Sequence, residues 1–125
     1  MYSIVDFYQT IHHKFPDISK KADLLFMNDW GQFLPEYAYS WFEKLAYALN
    51  SEMKNGVSFL VHKPLFDFLN DILQNANDEI KACIDVAFTE NLFWQLPEDK
   101  SSLYWIHLPE SIKCLYLAFH GRPPI

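Results

Sequence analysis

The five histidines, the two cysteines and the acidic residues are the groups with which this chain could do chemistry. His12 and His13 are neighbours, so on a helix they point about 100° apart and cannot close on one ion. His62, His107 and His120 stand alone, with no His-Glu-x-x-His or Glu-x-x-His spacing to bring a carboxylate beside them. Cys83 and Cys114 lie far apart inside apolar helical patterns. They lack zinc-motif spacing and read as small, buried, reduced hydrophobes. No serine occupies a Gly-x-Ser-x-Gly elbow. The expectation is no metal, no cofactor and no enzyme. Glu90 is the one side chain that leaves catalysis open. It falls in line with Cys83, Val86, Ala87 and Trp94, away from the wet edge of Asp85 and Thr89. A carboxylate there should be partly desolvated and needs donors. It is either a structural acceptor or a general acid or base with a raised pKa.

Charge points to binding. Ten Lys and Arg stand against 16 Asp and Glu, a net of −6, which disfavours direct contact with nucleic acid. Asp67 and Asp71 are four apart on one helical stretch, and Asp78, Glu79 and Asp85 follow on the next. If those two helices pair, their wet edges form a negative ridge, which the Glu98-Asp99 stretch could extend. Such a ridge is either solvated surface or a docking face that steers a basic partner. Trp30, Trp94, Tyr104 and Trp105 lie near expected helix ends or in loops, where they either plug the bundle or serve as interface anchors.

These side chains must be held by helices. Half the residues are apolar, 18% are aromatic and only three are glycine, so disorder and a turn-dense β fold are both disfavoured. Ile4, Phe7, Tyr8, Ile11 and Phe15 recur at helical spacing after Ser3 as N-cap, and Pro16 stops that helix. A short second helix after Asp17 is expected to carry Ile18, Leu24 and Leu25 inward and to end at Asn28-Asp29-Trp30-Gly31. Pro35 opens a third with Tyr37, Ala38, Trp41, Phe42, Leu45 and Leu49 on its core side, closed by the stretch 50–56. The pattern from Val57 crosses Pro64, so a short piece followed by a firm helix from Pro64 to Asn75 is expected. Asn77 caps a fifth helix that reaches about Leu96, with so narrow a polar edge that it belongs near the middle. The stretch 96–102 reads as a loop, Leu103–His107 as a single turn, and a last helix runs from Pro109 to His120, stopped by Gly121 and Pro123-Pro124.

Two segments carry a resemblance. Gly31-Gln32-Phe33-Leu34-Pro35 opens the third helix, and Phe88-Thr89-Glu90-Asn91-Leu92 ends the fifth. With Phe66-Asp67-Phe68-Leu69 between them, roughly residues 15–96 resemble a family of small bacterial all-helical proteins of mostly unassigned function. Gln32 and Glu36 stand where that family has an acid and a His. Size, acidity and aromatic content also resemble the immunity proteins of polymorphic-toxin and contact-dependent inhibition systems. The fold expected is a single all-α domain over 1–125, five to seven helices in a compact bundle with room for solenoid-like pairing. The function expected is a non-catalytic immunity protein that covers the active site of a cognate toxin, a basic nuclease domain. Asp67, Asp71, Asp78, Asp85, Trp94, Tyr104 and Trp105 would form its contact surface. A general helical adaptor or homodimer, and a small enzyme centred on Glu90, are the alternatives. Met1 to Asp6 lacks a basic start, and the longest apolar run, Cys114–Phe119, is far too short for a membrane span. The expected compartment is therefore the cytoplasm, without membrane contact and with the oligomeric state open.

Overall fold

The computed structural model describes residues 3–125. Met1 and Tyr2, the first two residues of the Met1 to Asp6 stretch that lacks a basic start, lie outside the described residues. Helix α1 (Ile4–Lys14) opens on a reciprocal cap: Ser3 Oγ accepts the Asp6 N–H while an Asp6 carboxylate oxygen accepts the Ser3 N–H. Helix α2 (Pro16–Trp30) starts on the very proline that ends α1, and its 15 residues make it longer than the short helix expected. Its buried face is Ile18, Ala22 and Phe26. That phase turns Leu24 away, to 59% exposure, and leaves Leu25 exposed too, against the expectation for both. Gly31 ends α2 at φ +74, returning its N–H to the Met27 carbonyl.

A 3-10 turn (Pro35–Tyr37) leads into α3 (Ala38–Lys54), which continues well past Asn50. Trp41, Phe42, Leu45, Ala46, Leu49 and Met53 are buried completely, because α3 packs against α1, α2 and the segments 83–88 and 98–105. The fifth helical segment, which the sequence places near the middle, packs against α3 there, so the two share the centre of the bundle. The core cluster extends from Phe7 to Tyr116.

Helix α4 (Phe59–Asn75) is continuous through Pro64, not two pieces. Pro64 forfeits one hydrogen bond to the Leu60 carbonyl. Both residues lie on the exposed face, where water can take that oxygen. Asn77 caps α5 (Asp78–Ala82), its side chain accepting the Ile80 N–H at 2.9 Å. Beyond Ala82 the chain widens to a π-helix (Cys83–Phe88), tightens to a 3-10 turn (Thr89–Asn91) and stops, short of the Leu96 expected. Ile80, Cys83, Ile84, Ala87 and Phe88 are buried along this stretch, and π-turns of this kind occur mostly as single-turn insertions in α-helices.

Helix α6 (Glu98–Trp105) replaces the expected loop and single turn. Glu98 and Asp99 are first-turn residues facing the positive end of the helix dipole, and Ser101, Tyr104, Trp105 and Leu108 are its buried stripe. Helix α7 (Glu110–His120) ends as expected, at a left-handed Gly121. Seven α-helices and no strand occur among the described residues. Among those residues no helix is long and apolar enough to cross a membrane.

Candidate functional site

The seven residues expected at a contact surface separate into two groups. Asp67, Asp71 and Asp78 are exposed and Asp85 is half-buried. Of these four aspartates only Asp67 has a basic partner among the described residues, Lys63 one turn before it at 2.7 Å. Trp94 is 56% exposed. Tyr104 and Trp105 are corrections. Tyr104 is fully buried, and its hydroxyl donates to the Val57 carbonyl at 2.9 Å. Trp105 is buried against Phe93 and Tyr116 beneath the Lys113 ammonium. Both are core residues of α6, so neither can anchor a partner while the bundle is folded. Cys83 is buried, which, with the nearby Glu79 charge, pushes its thiol up, whereas Cys114 is exposed rather than buried.

Trp94 sits on the least regular backbone in the molecule. Phe93 at φ +67 and Gln95 at φ +57 flank it, the two non-glycine positive φ values among the described residues. Left-handed backbone costs an ordinary residue about 1–2 kcal/mol, so something must hold it. Asn50, buried on α3, does so with both ends of its amide. Its Nδ2 donates to the Asn91 carbonyl at 3.0 Å, and its Oδ1 accepts the Phe93 N–H at 2.8 Å. Asn91 in turn donates to the Ala87 carbonyl at 2.7 Å and accepts the Tyr47 hydroxyl at 3.3 Å. Phe93 plugs the core below. Trp94 is left outside beside Tyr47, ring centroids 5.6 Å apart and 40° between planes. The two rings, with Lys54, Gln95 and Leu96, wall a shallow groove of about 290 Å³. Strained backbone and π-turns both concentrate at functional positions.

Glu90 lies just before this loop and is half-buried. Burial and the Asp85 charge push its carboxyl up, and His120 opposes them. His120 donates not to that carboxylate but to the Glu90 backbone carbonyl, at 3.0 Å. No donor reaches the Glu90 side chain among the described residues.

Two polar networks were not read from the sequence. Asp23 Oδ1 on α2 receives Trp41 Nε1 at 2.7 Å and His12 Nε2 at 2.8 Å, while His12 Nδ1 faces the Tyr8 carbonyl at 2.9 Å. Both N–H groups of a protonated imidazole would satisfy those acceptors. Burial and the Asp23 charge push the Tyr8 hydroxyl up to about 12. In the second network Glu52 receives Lys21 at 2.7 Å and His62 at 2.9 Å, tying α2, α3 and α4 together. Burial opposes ionisation of Glu52, but the hydrogen bonds and charges of Lys21 and His62 outweigh it and hold the carboxyl below its ordinary range. Each network starts from a polar residue in line with core positions, which was the available signal. Among the described residues no three His, Cys, Asp or Glu side chains come together as metal ligands.

No curated protein and no solved structure matches the chain. The family described as a domain of unknown function (DUF7674) matches residues 8–121, which takes in every helix apart from the first turn of α1, and the chain belongs to that family.

Proposed function

We propose that this protein is a non-catalytic binding module of the immunity type, which covers a basic toxin domain with the Trp94 loop at the centre of contact. The observation that carries this reading is Trp94 itself. It is a large, half-exposed ring between two left-handed residues and is held from beneath by Asn50. An anchor fixed before binding loses little entropy on docking, and tryptophan is one of the residues enriched at interface hot spots. The exposed carboxylates Asp71 and Asp78, with no basic partner among the described residues, support attraction of a cationic surface. Charge of this kind speeds encounter more than it adds affinity.

The experiment is to express the C-terminal domain of any large secreted protein encoded by the neighbouring upstream gene, to measure protection of cells producing it, and to follow association rates against salt. Trp94→Ala should raise the dissociation rate at least about tenfold. Asp67→Lys with Asp71→Lys should slow association and flatten its salt dependence. Full protection by both variants would refute the reading. A second reading, a general interaction module, is favoured by a different feature. Leu60 and Leu103 are exposed and line an opening of about 510 Å³ between the start of α4 and α6. Self-association indifferent to salt would select it.

A further inference from the structure

A cavity of about 480 Å³ opens beside the turn that joins α2 to α3, away from any role given to Trp94. Its walls include Tyr8, Phe26, Met27 and Phe33, and Asp23 is the only charged residue that lines it among the described residues. Tyr8 and Phe33 are stacked with centroids 4.0 Å apart, and Phe26 meets Phe33 at 5.9 Å. The carboxylate is fixed before any ligand arrives, because His12 and Trp41 both hold Oδ1. Oδ2 is then the oxygen without a protein partner among the described residues.

We propose that this cavity binds a guanidinium group, held by Asp23 Oδ2 and the flanking aromatic rings. Ring faces carry negative potential and attract cations. A guanidinium is planar, stacks on aromatic rings and is more weakly hydrated than an ammonium, so it enters an apolar wall at lower cost. Its N–H groups suit the remaining carboxylate oxygen. The volume lies within the range of small-ligand pockets. The group can belong to a small free cation or to an arginine side chain of a partner, and the inference does not rest on the docking reading above.

The test is an NMR titration of the full chain that follows the indole N–H of Trp41, identified by its loss in Trp41→Phe. That N–H is bonded to Asp23 and reports on the carboxylate directly. Methylguanidinium and an acetylated, amidated arginine are the two probes, with the corresponding citrulline as the uncharged control. Saturable shifts with both probes, and binding of citrulline weaker by about tenfold, are expected. Binding of methylguanidinium alone assigns a free cation, and equal binding of the arginine assigns a side chain. Asp23→Asn should weaken binding about tenfold or more. Because Asp23 also joins α1, α2 and α3, Phe33→Leu provides a second variant that keeps the dyad and removes one ring. It should weaken binding severalfold. No saturable shift, equal affinity for citrulline, or unchanged affinity in both variants would overturn the proposal.

Discussion

Asn50→Ala should destabilise the protein by about 3 kcal/mol and set Trp94 loose. The wild-type amide makes two bonds to the loop from a side chain that is 6% exposed. Truncation strands the Phe93 N–H and the Asn91 carbonyl. A buried polar group left without a partner costs about 1–3 kcal/mol, so a loop that stayed in place would lose about 2–6 kcal/mol. The loop has an alternative, which is to let go. Release would return about 1 kcal/mol of left-handed strain at each of Phe93 and Gln95, but it would also pull the Phe93 ring from between Trp105 and Tyr116. Removing a buried ring costs about 3 kcal/mol or more, so partial release is the cheaper outcome. Urea unfolding should show the loss as a lower midpoint at an unchanged slope. Acrylamide quenching in a Trp30→Phe background should show a more accessible Trp94. Asn50→Asp serves as the companion: it retains an acceptor for Phe93 but turns the donor to Asn91 into a second acceptor, and it should also destabilise. If Asn50→Ala changes stability by less than about 0.5 kcal/mol and leaves Trp94 quenching untouched, the clamp does not set this loop.

Four further outcomes follow from the same geometry. Glu52 titrates lower in the folded chain than in the unfolded one, so its stabilisation is complete above the ordinary glutamate value of 4.5 and is lost as pH falls through the depressed folded value. Glu52→Gln should therefore lower stability at neutral pH and flatten the acid limb of a stability-pH profile measured by urea unfolding. Gln95→Gly should stabilise by up to about 1 kcal/mol and Gln95→Val should destabilise, since only the first accepts a left-handed backbone without strain. Ser101 is fully buried with no hydrogen-bond partner for its hydroxyl among the described residues, so Ser101→Ala should be neutral or raise the melting temperature. Tyr104→Phe removes the bond to Val57 and should cost about 1 kcal/mol in the same assay, with no effect on toxin protection.

Periodicity was a good guide wherever one face of a helix is apolar and its ends carry caps. The Ser3 cap, the Pro35 entry to α3 and the Gly121 stop all stand where their chemistry put them. It failed where the buried stripe includes polar or wet-looking residues. In α6 the core face is Ser101, Tyr104, Trp105 and Leu108, an i, i+3, i+4, i+7 set hidden by a serine and by an acidic first turn. That misreading placed Tyr104 and Trp105 on a surface they do not occupy. The fifth helix failed for another reason. Its residues do keep a helical pattern to Leu96, but the chain widens to a π-helix at Cys83 and leaves the helix at Leu92, where Asn50 of α3 holds the segment that follows.

The Trp94 loop shows what a chain position alone leaves out. Nothing in Leu92-Phe93-Trp94-Gln95 calls for a left-handed turn, since it holds neither glycine nor asparagine. The turn exists because Asn50, about forty residues earlier, offers a donor and an acceptor at once. Asn50 lies one helical turn beyond Ala46 and beside Leu49, on the buried side of α3. An amide in that line must find partners or cost the helix its place. Glu52 poses the same question two residues later and is answered by Lys21 and His62. Polar residues in an apolar stripe therefore mark where α3 grips something distant. In the first case the object gripped carries the exposed tryptophan; in the second it is only the neighbouring helices. A side chain that must bury its polarity to hold one loop in a costly shape ties the stability of the core to the presentation of Trp94. Loss of binding through Asn50 should therefore always come with loss of stability, whereas loss through Trp94 should not.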